Sequence, residues 1–204
     1  MKRLWPCFVA ASCAMSLLGC SRKQSGVNIP YWDPAGFAGA VIERLDKSGD
    51  SLIDKTELAD APGLAYGARF IDGDSDGKLS REELESRFTR YRERQLGLTL
   101  QQFRVTHNGR PLVGATVRLV PEFFLSETIE AAEGTTVVQG LLSPSIPGQQ
   151  TPLIRVGYYR VEVTSPNVAL PAKFNTATTV GVEVSPFPGE PADAGMVEIQ
   201  LRDK

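Results

Sequence analysis

Two stretches of the N-terminal half carry apolar residues at helical spacing. After Pro34, which suits a first helical turn, the stretch PAGFAGAVIERL places one stripe on a single face: Phe37, Val41, Ile42 and Leu45. The stretch REELESRFTRYRERQL places a second apolar stripe on one face, formed by Leu84, Phe88 and Tyr91. The rest of its surface is expected to face solvent through four arginines: Arg87, Arg90, Arg92 and Arg94. Ser80 and Glu83 form a capping box before this stretch, and Gly97 is expected to end it. We therefore expect helices over 34–45 and 81–96.

From residue 99 onward the pattern changes to one of short strands. Alternating or β-branched runs predict strands at 114–120, 135–139, 158–164, 180–184 and 196–201, separated by turns rich in proline and glycine. Asn108-Gly109 is a strong hairpin signal, which leaves His107 in an exposed turn. Of the two adjacent tyrosines, Tyr158 and Tyr159, one is expected in the core and the other at the surface. Several short strands at this spacing predict an antiparallel β-sandwich.

Two loops in the helical half repeat one pattern of oxygen-bearing side chains, and both resemble the EF-hand calcium loop. Ca²⁺ takes six to eight oxygen ligands, and the pattern supplies them at loop positions 1, 3, 5, 7, 9 and 12, with a backbone carbonyl at position 7. The resemblance implies two ligand sets: Asp46, Ser48, Asp50, Leu52, Asp54 and Glu57 in loop one, and Asp72, Asp74, Asp76, Lys78, Ser80 and Glu83 in loop two.

Three details refine the expectation of two calcium sites. Position 6 requires a positive φ, and loop one has Ser51 there where loop two has Gly77, so we expect the first site to bind calcium more weakly. Ile53 and Leu79 stand at position 8, where paired loops form a short two-stranded bridge. Pro62-Gly63 divides the short connection between the loops into two short helices. Such a tight pair favours a structural or constitutive calcium site over a switch.

The first twenty residues predict an anchored, secreted protein. Lys2 and Arg3 precede an apolar run that ends in Leu-Leu-Gly-Cys, which resembles the lipobox of bacterial lipoproteins. The resemblance implies a signal peptide over 1–19, a lipidated (palmitate-bearing) Cys20 as the membrane anchor, and a tether over 20–32. Ser21 after the cysteine favours the outer membrane or the cell surface, although an anchor that faces the periplasm stays open.

A second resemblance concerns the C-terminal half. The phrases GRPLVGATVRLVP, GYYRVEV and PAKFN are similar to those of transthyretin-like, carboxypeptidase-regulatory-like β-sandwich domains of bacterial lipoproteins. The expected fold class is therefore α+β in two domains, with an all-α EF-hand pair over 33–97 followed by an antiparallel, Ig/transthyretin-like β-sandwich over 98–204.

Composition excludes several functions. All three cysteines lie within the first 20 residues, so the folded part has no disulfide partner, no cysteine metal site and no thiol nucleophile. A single histidine, His107, excludes the transthyretin-like hydrolases, the intradiol iron dioxygenases and any Ser-His-Asp triad. The net charge of −2 gives no support to nucleic-acid binding. We expect no enzyme activity.

The interpretation that follows is a calcium-binding envelope lipoprotein, anchored to the membrane, that serves as a structural or interaction module. Its surface would meet an envelope protein or a polysaccharide, and its calcium sites would stay occupied. Two alternatives remain open: a calcium-dependent sensor or regulator of a secreted enzyme, and a dockerin-like docking module.

Overall fold

The computed structural model describes residues 28–187 and 195–203, and its first half contains three helices. These are α1 (Pro34–Leu45), α2 (Pro62–Gly67) and α3 (Arg81–Arg94). The Asp33 side chain caps α1, and the predicted capping box of Ser80 and Glu83 is confirmed at α3. Helix α3 ends at Arg94 because Gln95 adopts a left-handed conformation with φ of 49°, so the predicted end at Gly97 is wrong.

A short two-stranded sheet joins the two acidic loops. Strands β1 (Leu52–Ile53) and β2 (Leu79–Ser80) pair antiparallel, with Ile53 opposite Leu79. Both of these side chains are buried. The predicted bridge at loop position 8 is therefore confirmed.

The second half forms two four-stranded sheets. One has the order β6-β5-β8-β9 and is antiparallel throughout. The other has the order β10-β3-β4, with β7 also paired to β3. The strand bounds are β3 Gln102–His107, β4 Arg110–Pro111, β5 Thr116–Pro121, β6 Ala132–Thr135, β7 Leu141–Leu142, β8 Gly157–Thr164, β9 Gly181–Val184 and β10 Met196–Leu201.

The expected fold class is wrong in three respects. The first half is not all-α, because β1 and β2 belong to it and its helices are short. The second half is not purely antiparallel, because β10 pairs parallel with β3. The two halves also share one continuous hydrophobic core, so the boundary between α and β segments does not divide the packing.

Aromatic side chains build the part of the core where the halves meet. Phe88 and Tyr91 of α3 lie against Tyr158 of β8, with ring centroids 6.0 and 5.8 Å apart. Trp32, from the segment expected as a tether, is buried and stacks on Tyr91 at 4.3 Å and 15°. Close packing of this kind fixes the helices on the sheet.

Because α2 packs on β8 and β9, and side chains of α3 contact Tyr158, two predictions of solvent exposure are wrong. Tyr158 and Tyr159 are both fully buried, and the Tyr159 hydroxyl donates to the Arg155 carbonyl at 2.8 Å. Arg87 is also buried, and its Nη2 lies 2.6 Å from Glu183 Oε1 on β9. An amphipathic strand pattern assumes one wet face, and the helices remove it.

The strand expected over 135–139 is also displaced. Strand β6 ends at Thr135, and Val137 and Val138 are exposed. Gln139 has φ of 61°, which interrupts any extended run there. The chain therefore turns where its β-branched residues predicted a strand.

Among the described residues, no helix has the length and apolar character to cross a membrane. The predicted signal peptide, the lipidated Cys20 and most of the tether lie outside the described residues.

Candidate functional site: two acidic loops

Loop two gathers three carboxylates at its first half. Asp72, Asp74 and Asp76 each offer one oxygen, and these atoms lie within 4.8 Å of one another. Asp72 Oδ2 accepts from the Gly77 backbone N–H at 3.0 Å, and Gly77 has the positive φ, 84°, that the turn requires. Asp72 Oδ1 is buried, and no residue that the structure describes hydrogen-bonds to it. A buried carboxylate oxygen without a donor is costly unless a cation lies against it.

The last residue of loop two folds back over its beginning. Glu83 Oε1 accepts from the Gly73 N–H at 2.7 Å, and Glu83 Oε2 accepts from the Ser80 N–H at 2.9 Å. Burial opposes ionisation of Glu83, but these hydrogen bonds together lower the pKa of its carboxyl group. The Ser80 hydroxyl also donates to Glu83 Oε2 at 2.8 Å, so the capping box is part of the loop.

Loop one repeats the same hydrogen bonds at matching positions. Asp46 Oδ2 accepts from the Ser51 N–H at 2.9 Å, and Glu57 Oε1 accepts from the Lys47 N–H at 2.8 Å. Glu57 Oε2 accepts from the Asp54 N–H at 3.0 Å, a bond that lowers the pKa of Glu57. Ser51 has φ of 64°, which confirms the left-handed turn expected at position 6.

The two loops differ in how closely their carboxylates converge. Within residues 28–187 and 195–203, loop one does not bring three carboxylate oxygens together as loop two does. Ser48 takes the place of an aspartate, and its hydroxyl donates to Asp46 Oδ1 at 3.2 Å. Asp54 Oδ1 accepts from the Thr56 and Glu57 N–H groups, at 2.7 and 2.9 Å. Its charge therefore supports the turn that follows.

A lysine from loop two reaches a predicted ligand of loop one. Lys78 Nζ lies 2.8 Å from Asp50 Oδ2, while Asp50 Oδ1 accepts from the Leu52 N–H at 3.0 Å. The hydrogen bond from Lys78 holds the pKa of Asp50 below its ordinary value, and the same contact raises the pKa of Lys78. A cation that binds loop one must compete with this ammonium group.

Two features outside the loops were not indicated by the sequence patterns: the surroundings of His107 and a polar cleft. His107 lies at the end of β3 with its side chain only 16% exposed and its Nε2 3.0 Å from Asp203 Oδ1, so its expected place in an exposed turn is wrong. A cleft at the seam between the two halves is lined by Arg44, Arg160 and Glu122. These three come from separate elements, so no local spacing could have joined them.

Comparisons of the chain with protein-family models, curated proteins and solved structures find no match to any of them.

Proposed function

We propose that this chain is a calcium-binding envelope lipoprotein whose two acidic loops hold the ion as part of the fold. The observation that carries the proposal is the buried Asp72 Oδ1, which accepts no hydrogen bond from the described residues and belongs to a group of three converging carboxylates. A divalent cation there would satisfy that oxygen and offset the repulsion among Asp72, Asp74 and Asp76.

The oxygen donors of loop two suit Ca²⁺, a hard ion that accepts irregular coordination. Asp72, Asp74, Asp76 and Glu83 would supply carboxylate oxygens, and the Lys78 carbonyl and Ser80 would complete the set. Loop one would use Asp46, Ser48, Asp50, the Leu52 carbonyl, Asp54 and Glu57. We expect it to bind calcium more weakly, because Ser51 is held at a positive φ and Lys78 contacts Asp50.

Packing of the helix between the loops favours a structural role over a sensor role. Opening a calcium sensor separates its helices and exposes a hydrophobic groove. Here Pro62, Gly63 and Leu64 of α2 are buried, and Gly63 and Gly67 lie against β8 and β9. Separation of the helices would therefore break the shared core. Lipid anchoring at Cys20, with a protein or polysaccharide partner in the envelope, completes the proposal.

Glu83→Gln tests the proposal directly. In the full chain we expect calorimetry to show the loss of the tighter calcium site, because an amide cannot bind the ion through two anionic oxygens. Calcium at about 100 times its dissociation constant contributes about 2.7 kcal/mol to folding, so chelation should lower the Tm of the wild type by about 5–10 °C. The variant should lose most of that response.

Glu82→Gln is the matched control, since Glu82 is an exposed neighbour on α3 and the change in charge is the same. It should bind and melt as the wild type does. Equal wild-type melting curves with calcium and with a chelator would refute the structural role. Dissociation constants below about 1 μM with a large exposure of apolar surface would favour the sensor.

Lys78→Met tests the competition within loop one. We expect calcium affinity at loop one to rise only about two- to fivefold, because an exposed ion pair is largely screened by solvent. Calorimetric titration of the full chain measures it. Lys55→Met removes an equal charge from loop one at an exposed position and controls for the general field. An equal gain in both variants would contradict a specific role for the Lys78–Asp50 contact.

A further inference from the structure

A polar cleft of about 640 Å³ opens between the end of α1 and the two inner strands of the antiparallel sheet, β5 and β8. Arg44 contributes from the last turn of α1, Arg118 from β5 and Arg160 from β8. Ser126 and Thr128, from the connection after β5, add hydroxyl groups to its wall. We refer to this feature as the arginine cleft. It lies where the two halves of the chain meet, a common place for small-molecule sites.

Two of the three arginines form no ion pair within the described part of the chain, although both lie near enough to Glu122 to oppose the rise in its pKa that burial causes. Arg160 forms no ion pair with any residue that the structure describes, and its Nε is buried without a hydrogen-bond acceptor. Arg44 likewise forms no ion pair within the described ranges, and its guanidinium lies 4.4 Å from the centre of the Phe123 ring. Arg118 differs, since its Nη1 lies 3.4 Å from Glu162 Oε2. A buried guanidinium N–H without an acceptor is as costly as any other orphaned donor.

Most of the carboxylates around the arginine cleft are already engaged. Asp60 pairs with Lys47, and Glu130 Oε2 lies 2.9 Å from Arg155 Nε. Glu122 is buried and accepts from the Gly63 N–H at 2.7 Å, and burial raises the pKa of its carboxyl group to about 7. Glu127 is exposed at the rim.

We propose that the arginine cleft binds the oxyanion of a small ligand, a phosphate group held by Arg160 and Arg44. The planar guanidinium fork of an arginine matches two oxygens of such a group, and Arg160 and Arg44 both line the cleft without an ion pair among the described residues. The exposed Glu127 adds negative charge beside the cleft, which favours a ligand with a single anionic group over a polyanion. The site uses no calcium ligand and stands apart from the function proposed above.

Calorimetric titration of the full chain with glycerol 3-phosphate, at fixed ionic strength, tests the proposal. We expect saturable binding at one site and a loss of about tenfold or more in affinity for Arg160→Met, because one charge-assisted hydrogen-bond partner disappears. Arg44→Met should weaken binding as well. Arg92→Met, an exposed arginine on α3, removes the same charge elsewhere and should leave affinity unchanged.

A second arm distinguishes a lipid headgroup from a free anion. Vesicles of phosphatidylglycerol in phosphatidylcholine present the same phosphate at a surface, and retention that Arg160→Met abolishes would identify a headgroup site. Absence of binding to both probes would overturn the proposal, as would equal losses in Arg160→Met and Arg92→Met. If Arg160→Met melts below the wild type without ligand, Arg160→Lys keeps the charge and should still bind more weakly, since it lacks the fork. Both binding measurements are repeated with a calcium chelator, and unchanged binding would show that the arginine cleft acts independently of the calcium sites.

Discussion

Arg87→Met is expected to lower the free energy of unfolding by about 3–5 kcal/mol, as removal of one member of a buried ion pair does. Arg87 and Glu183 side chains are each 1% exposed, with 2.6 Å between Nη2 and Oε1. Arg87 Nε also donates to the Tyr158 hydroxyl at 3.2 Å, and Tyr91 donates to Glu183 Oε1 at 2.5 Å. Without the guanidinium, the buried Glu183 carboxylate loses the ion pair that the structure gives it. Chemical denaturation of the full chain, in excess calcium, measures the loss.

Arg92→Met is the control for this experiment too, and its exposed position predicts a change within about 0.5 kcal/mol. The double variant Arg87→Met with Glu183→Leu should recover part of the loss, because it removes the buried charge altogether. Hydrogen exchange should show protection of α1 and of β8 lost at the same denaturant concentration. Separate transitions for the two halves, or a loss below about 1 kcal/mol, would contradict the shared core.

The burial of Arg87 shows which parts of the fold the sequence could not indicate. Its partner Glu183 lies 96 positions away, and in isolation an arginine on a polar helix face predicts exposure. The same holds for β10, whose alternating residues predicted a strand with the observed bounds but carried no information on its direction. Both features depend on where distant segments pack, and periodicity is a local property.

Features fixed within a few residues were predicted correctly. The hairpin at Asn108-Gly109 has φ of 50° and 79°, as its turn requires, and the capping box of Ser80 and Glu83 begins α3. The left-handed Ser51 follows from the loop pattern alone. Each of these depends on one turn of backbone and its own hydrogen bonds.

The candidate site also has local features that the sequence predicted and contacts between distant residues that it did not. Repeated oxygen spacing identified the loops, and matching hydrogen bonds from Glu57 and Glu83 now join the two ends of each one. The Lys78–Asp50 contact joins residues 28 positions apart and depends on the β1–β2 pairing. The arginine cleft needs the docking of α1 on the sheet, so its residues had no common signal.

Gly181→Ala should also destabilise the protein, by about 3 kcal/mol, the upper end of the usual cost of overpacking, because α2 crosses β9 with backbone against backbone. A Cβ on Gly181 would lie 2.0 Å from the carbonyl carbon and oxygen of Pro62 and 2.2 Å from Gly63 N. No side-chain rotation can relieve a contact with backbone atoms, so the methyl group must push α2 away from the sheet. Chemical denaturation of the full chain measures the loss, and hydrogen exchange should show reduced protection first in α2.

Gly39→Ala is the matched control, as the same methyl group on α1 would lie 3.5 Å from its nearest neighbour, the flexible Arg81 side chain. Alanine is favoured over glycine within a helix by up to about 1 kcal/mol, so this variant should be as stable as the wild type or more so. Because α2 connects the two acidic loops, displacement by Gly181→Ala should also weaken calcium binding at both. A Gly181→Ala variant with wild-type stability would show that α2 does not lie on β9, and the argument for a structural calcium pair would lose its support.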